Sequence, residues 1–197
     1  MADVYDLVVI GAGSAGLTAA TLGLETGARV ALVERDRIGG DCTWTGCVPS
    51  KSLLRSAKVA HTAFSAGEAG LYPAPTEVPF EQVMARVRRI VRDTYAHESP
   101  DALREMGLDV VLGEAHFLSR HRIAVGDQVL NARTVVIATG AHPFVPPIEG
   151  LDGVDFYTSS TLWDLERRPE HLIVIGGGPI GIEMSQAFRR LGAEVTL

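Results

Sequence analysis

Two stretches of this chain repeat one another at a fixed distance. Asp6-Leu-Val-Val-Ile-Gly-Ala-Gly-Ser-Ala-Gly16 returns as Leu172-Ile-Val-Ile-Gly-Gly-Gly-Pro-Ile-Gly181. Gly11, Gly13 and Gly16 map onto Gly176, Gly178 and Gly181, an offset of 165 residues, and the same offset carries Gly27-Ala28 onto Gly192-Ala193 and Val30 onto Val195. Each copy reads as a buried strand, a glycine-rich turn, a helix, a glycine cap and a second strand. A lone G-x-G-x-x-G is a weak signal, but in this context it has a mechanism. The first glycine makes the tight turn, the second lets a pyrophosphate approach the backbone, and the third lets helix pack on strand. The pyrophosphate then rests on a helix N-terminus. In the first copy the second strand ends at Glu34, the acidic position that hydrogen-bonds an adenosine ribose. Its counterpart in the second copy, position 199 by the same offset, falls past Leu197. That position separates NAD (acidic) from NADP (basic), so the preference is not readable.

The expected fold is therefore α/β. A Rossmann-like dinucleotide domain comes first, and the opening βαβ of a second follows, with the boundary near residue 148 (1–148 and 149–197). Between the copies, apolar spacing predicts a helix over Lys51–Phe64 and a loop over 65–79 with Pro73, Pro75 and Pro79. A helical stretch is expected from Phe80 to Met106, with Phe80, Val83, Val87, Ile90, Val91 and Tyr95 on its core face, and a separate short helix starting at Pro100. The cluster Arg86, Arg88, Arg89 and Arg92 reads as a solvated face. A small β-meander is expected from Asp109–Leu112, Ala115–Leu118, Arg122–Val125 and Gln128–Leu130. Thr134–Ala138 follows as a buried strand, and Pro143, Pro146 and Pro147 form a stiff connection.

Both cysteines fall in Asp41-Cys-Thr-Trp-Thr-Gly-Cys-Val-Pro-Ser-Lys51. In a regular helix Cys42 and Cys47 would be roughly 7.5 Å apart along the axis and on different faces. A bond between them needs an irregular turn, for which Gly46 supplies freedom. Pro49 suits the first turn of a helix. Cys47 would then sit at a helix N-terminus, where the dipole favours a thiolate. A redox centre is the first reading. Zinc is the weaker one, because the second pair of ligands such a site wants is absent. His61, His97, His116, His121, His142 and His171 are scattered and read as structural or surface residues. No metal site is expected.

A net charge of −6 argues against nucleic acid as a main partner. No run approaches the ~18 apolar residues of a membrane span. No leader-like basic and apolar segment opens the chain. The expectation is a cytoplasmic protein, where two cysteines are more often catalytic or metal-binding than structural.

Together, Gly11-x-Gly13-x-x-Gly16 with Glu34, Gly39-Gly-Asp-Cys42-x4-Cys47-Val-Pro-Ser-Lys51, Ala138-Thr-Gly140 and Gly176-x-Gly178-x-x-Gly181 with Glu183 resemble the class I pyridine nucleotide-disulfide oxidoreductases. That family includes dihydrolipoamide dehydrogenase, glutathione reductase and mercuric reductase. The cysteine segment looks closest to the mercuric-reductase-like branch. The resemblance implies FAD on Gly11, Gly13, Ser14, Ala15, Gly16, Glu34 and Arg35, with Gly40, Asp41, Gly46, Ala115, Thr139 and Gly140 also lining it. It implies NAD or NADP on Gly176, Gly178, Ile180 and Gly181. Cys42 would be the interchange thiol that attacks substrate, and Cys47 the thiol that forms a charge-transfer complex with the flavin. Lys51 would lie near flavin N5 as a buried lysine paired with Glu183. The implied reaction carries hydride from NAD(P)H to FAD, then reduces the Cys42–Cys47 disulfide, then a small-molecule disulfide or metal-ion substrate.

Members of that family are longer. They add the rest of the nicotinamide domain, an Ala-Gly-Asp segment and a dimerisation domain that supplies a His-Glu pair. The chain is accordingly expected to be an N-terminal portion, and homodimers are expected of the full-length family. The alternatives are a flavin- or nucleotide-binding fragment without turnover, and a zinc- or mercury-binding thiol protein.

Overall fold

A computed structural model describes residues 4–72 and 78–197. Its strands are β1 (Val4–Ile10), β2 (Val30–Glu34), β3 (Asp109–Leu112), β4 (Ala115–Ser119), β5 (Arg122–Val125), β6 (Gln128–Ile137), β7 (His171–Ile173) and β8 (Glu194–Thr196). Its helices are α1 (Ser14–Glu25), α2 (Gly40–Trp44), α3 (Cys47–Phe64), α4 (Phe80–Ala96), α5 (Pro100–Glu105) and α6 (Pro179–Arg190). Two compact units alternate along the chain. One holds the described residues up to Trp44 with Asp93–His142, the other Thr45–Arg92 with Pro143–Leu197.

The first unit is built on a six-stranded sheet in the order β3-β2-β1-β6-β5-β4. The β1–β2, β1–β6 and β2–β3 pairs are parallel, whereas β4–β5 and β5–β6 are antiparallel. Period-2 alternation divides the strand side chains between two cores. Val9, Val30 and Leu32 join Ala20, Ile38, Leu103 and Leu108 on one face; Val8, Ala31 and Val33 join Ile123, Val125 and Leu130 on the other. Helix α1 is capped at Thr26, and Gly27, with φ +80°, closes the turn into β2.

The antiparallel meander forms from β4, β5 and the start of β6, with two differences. Asp109–Leu112, expected in it, is β3 and pairs parallel with β2 at the opposite edge of the sheet. The expected strands over 128–130 and 134–138 are a single ten-residue strand. Asn131 pairs with Arg122 of β5 and with Val4 of β1, so the ladder passes from one neighbour to the other without a break. Residues 134–137 pair only with β1 among the described residues. That open edge leaves Thr134 and Ile137 exposed, against the expectation of a buried strand.

In the second unit, β7, α6 and β8 form a parallel βαβ with His171 opposite Glu194 and Ile173 opposite Thr196. Its core gathers Leu53, Ala57 and Ala60 of α3, Phe80, Met84 and Val87 of α4, and Met184, Ala187 and Phe188 of α6. The Phe80 and Phe188 rings lie 5.9 Å apart at 43°. Arg86 departs from the expected solvated face. It is half-buried, and its Nη1 donates to Ser52 O and Ser56 Oγ, while Arg88, Arg89 and Arg92 are exposed. The expected loop over 65–79 opens with a 3-10 turn at Ser65–Ala69; its Pro73 and Pro75 lie outside the described residues. Helix α4 stops at Ala96, and Ser99 caps α5 by accepting from the Ala102 N–H at 3.3 Å. All six histidines are exposed. No described helix is long and apolar enough to cross a membrane.

Candidate functional site

Parallel pairing brings the C-terminal ends of β1, β2, β3 and β6 to one edge of the sheet, the edge at which α/β folds bind ligands. Gly11 leaves β1 with φ +99°, and a Cβ there would run into the Ala138 carbonyl oxygen. A Cβ at Gly16 would run into the Gly11 carbonyl oxygen, so this glycine is a packing requirement. Gly13 is extended (φ −80°, ψ −170°) and stands at the N-cap of α1 with no side-chain cap. Its nearest neighbour is Gly40, whose own Cβ would stand 2.7 Å from the Gly13 Cα. The turn thus meets the start of α2 glycine against glycine, leaving backbone N–H groups and no bulk at the helix end.

Glu34 faces the same turn. Its Oε2 accepts from the Ala12 N–H at 2.7 Å and its Oε1 from the Asp36 N–H at 2.8 Å. Carboxylate oxygens keep further lone pairs, so this hold orients the group without exhausting it. Ser14 and Ala15 are the exposed first residues of α1, and Arg35 is exposed after β2. Thr139 and Gly140 are exposed directly after β6. Ala115 opens β4, two residues past Gly113, whose N–H donates to the Glu34 carbonyl at 2.7 Å. The open glycines, the uncapped helix and the oriented carboxylate fit a dinucleotide.

In the second unit Gly178 is the N-cap of α6, extended (φ −73°, ψ 175°) and without a side-chain cap. Nothing lies within 4 Å of a Cβ built at Gly176, Gly177 or Gly178, whereas one at Gly181 would run into the Gly176 carbonyl oxygen. Ile180 is exposed on the first turn of α6. The copy repeats the chemistry of the first: open at the turn, closed where helix meets strand.

Cys42 lies in α2 and Cys47 begins α3, the helix breaking at Thr45–Gly46. The two cysteines are disulfide-bonded, and neither is free. Cys47 is exposed and Cys42 half-buried. Asp41 is exposed in the first turn of α2. Helix α3 has Gly46 as N-cap with no side-chain cap, and Pro49 is buried in its first turn. One turn on, Lys51 Nζ donates to Glu183 Oε1 at 2.5 Å and Oε2 at 2.7 Å. The side chains are 61% and 35% exposed, so Lys51 is not the buried lysine expected from sequence; here α3 and α6 carry the pair on a solvent-facing surface.

Sequence reasoning passed over the residues inside the ring. Thr43 is buried and donates to Glu98, and Trp44 packs on Tyr95. Trp163 Nε1 donates to the Thr45 carbonyl at 2.7 Å. Nothing periodic marks Glu98 or Trp163. The signal available was the pair of large or branched polar residues inside so small a ring.

The model of the family described as pyridine nucleotide-disulphide oxidoreductase matches residues 5–197. A mercuric reductase of Lysinibacillus sphaericus is 38% identical over 195 residues, covering 99% of this chain and 36% of that protein. A dihydrolipoyl dehydrogenase of Bacillus subtilis (strain 168) is 34% identical, covering all of this chain and 44% of the other. Among solved structures, the copper(II) complex of a variant of the HOCl-induced flavoprotein disulfide reductase RclA from Escherichia coli superposes with a TM-score of 0.81 at 30% identity. That match covers 98% of this chain and 42% of the other. The chain thus spans well under half the length of these relatives. With the matched model running from Tyr5 to Leu197, the chain belongs to the pyridine nucleotide-disulphide oxidoreductase family.

Proposed function

We propose that this chain carries the redox disulfide and nucleotide-binding turns of an FAD-dependent NAD(P)H:disulfide oxidoreductase. The observation that supports it best is the Cys42–Cys47 disulfide at the start of α3, with Lys51 one turn later held by Glu183. In this reading residues 1–148 are the flavin portion and 149–197 the start of the nicotinamide portion. FAD, when bound, supplies the two-electron relay between nicotinamide and disulfide. The turn from Gly11 to Gly16 receives its pyrophosphate on the α1 N-terminus, and Glu34 takes a ribose hydroxyl. Gly176–Gly181 does the same for NADH or NADPH on α6. Lys51 supplies a cation to the flavin ring, oriented by Glu183. Cys47, at the helix N-terminus, is the thiol poised to be held as thiolate, and Cys42 attacks substrate. The substrate is a small disulfide or a thiol-binding metal ion, in keeping with relatives named for mercuric ion and the dihydrolipoyl group. The complete enzyme is proposed to work as a homodimer, in the cytoplasm.

The test is spectroscopic. Protein reconstituted with FAD should be yellow and gain long-wavelength absorbance when NADH or NADPH reduces the disulfide. Cys47→Ser should abolish that absorbance and leave FAD bound; a mutant that keeps it shows the thiol roles are reversed. Yellow protein whose thiols NAD(P)H never reduces would identify a binding fragment without turnover. Protein that binds neither nucleotide refutes the proposal for this chain.

A further inference from the structure

We propose that Glu98 is a positioning residue for the Cys42–Cys47 pair, acting through Thr43 inside the ring. This rests on the reading of that pair as a redox centre. Helix α2, which carries Cys42, has five residues, far fewer than a helix needs to stand alone. Something outside it must hold it, and four contacts contribute. Thr43 is 3% exposed, and its Oγ1 donates to Glu98 Oε2 at 2.6 Å. Hydroxyl–carboxylate bonds of that length are about twice as strong as neutral ones. Trp44 Nε1 donates to the Ile38 carbonyl at 2.7 Å. The Trp44 ring lies 4.8 Å from Tyr95 and 4.7 Å from the Arg37 guanidinium.

The space for the Thr43–Glu98 bond is kept open by backbone shape. Gly39 has φ +100°, and a Cβ there would stand 2.7 Å from both Glu98 Oε2 and Thr43 Cβ. Glu98 itself is fixed in the turn between α4 and α5. Its N–H donates to the Tyr95 carbonyl at 2.9 Å, and the next residue, Ser99, caps α5.

The consequence follows from where Thr43 sits. When the disulfide is reduced, the bond to Glu98 still holds the residue next to Cys42 in the place it occupies in the closed ring. The open dithiol keeps less freedom, reclosure costs less entropy, and the disulfide is favoured over the dithiol. Loosening the hold should therefore make the pair more oxidising.

The measurement is the equilibrium of the whole chain with reduced and oxidised dithiothreitol, read by alkylating free thiols. In the exchange the Cys42–Cys47 bond breaks and the reagent's disulfide forms. Two electrons pass from reagent to protein, and the reagent's two thiol protons appear on the protein thiols. Glu98→Ala should shift the equilibrium toward the dithiol by about three- to tenfold, tenfold being about 30 mV for this two-electron couple. Thr43→Val should shift it the same way, and on the Glu98→Ala background should add less than about twofold. Glu98→Gln, whose amide oxygen can still accept from Thr43, should stay within about twofold of wild type. An unchanged potential in Glu98→Ala overturns the proposal. So does a Glu98→Gln shift as large as that of Glu98→Ala, which would make charge the cause, and so do additive Thr43 and Glu98 effects. If Glu98→Ala does not fold, Thr43→Val against Glu98→Gln decides. Wild-type protein that dithiothreitol cannot reduce while folded defeats the redox reading itself, a result separate from any variant.

Discussion

Lys51 and Glu183 make two hydrogen bonds to each other, and their exposure decides what the pair is worth. Exposed ion pairs contribute about 0–1 kcal/mol, so stability is a weak reason for this one. Its consequence lies in placing a cation one turn from Cys47. Glu183→Gln should leave the unfolding midpoint nearly unchanged. It should slow NAD(P)H-driven reduction of the FAD-loaded protein by about three- to tenfold, a loss on the scale of one surface charge contact. A slower rate accompanied by a matching loss of stability would show that the pair is structural. Tyr5 offers a pH-dependent counterpart. Burial raises its pKa above the ordinary value, with a hydrogen bond to Asp109 and that residue's charge adding to the shift, against a lowering contribution from Arg29. The Arg29 guanidinium lies 4.6 Å from the ring centre. A raised value means that the folded state holds the phenolic proton more tightly than the unfolded one. The stability this brings is complete below about pH 10, the unfolded value, and is lost as pH rises through the folded value. The stability gap between wild type and Tyr5→Phe, measured by denaturant unfolding, should therefore narrow on going from pH 8 to pH 11. A gap that stays constant would remove Tyr5 from the account.

At the scale of elements, the third glycine of each turn tests the packing argument. Gly181→Ala gains helix propensity worth about 1 kcal/mol but drives a methyl group into the Gly176 carbonyl. Overpacking costs about 1–3 kcal/mol, and because the obstacle is backbone the cost should lie in the upper half of that range, for a net loss of about 1–2 kcal/mol in denaturant unfolding. Gly177→Ala, with open space around it, should change stability little; equal losses at both positions would refute the packing role. These elements were legible because their signals are local. Buried strands, glycine turns and the α3 and α4 stripes all follow from period-2 or period-3.6 spacing. Strand β6 was misread because Asn131, Ala132 and Arg133 look like a turn, while the hand-over from β5 to β1 depends on residues far away in sequence. Helix α2 was missed for a related reason. Five residues carry no period, and the helix persists through Glu98, 55 positions from Thr43. In the site, glycines, cysteines and charged partners at motif spacing could be read. Lys51's exposure and Arg86's burial could not, since both are set by tertiary packing.

For the whole molecule, the repeat at offset 165 poses the sharpest question: whether the two copies take different nucleotides. Gly13 and Gly178 allow a clean test because each is an N-cap in extended conformation, with no atom closer than 3.8 Å to a built Cβ. Aspartate suits both positions. It is among the best N-cap residues, and its charge complements the helix dipole. Gly13→Asp and Gly178→Asp should therefore keep or raise the unfolding midpoint. Each also places a negative charge where a pyrophosphate would rest. Two unit charges 4 Å apart repel by about 4 kcal/mol at an effective dielectric of about 20, enough to weaken binding by about a hundredfold or more. If the first copy takes the flavin, Gly13→Asp should abolish FAD uptake in equilibrium titration, while Gly178→Asp should bind FAD normally and lose reduction by NADH and NADPH. Normal FAD binding by Gly13→Asp would break the assignment of the first copy. Loss of FAD binding in Gly178→Asp would show that the copies do not divide the two nucleotides as their order in the chain suggests.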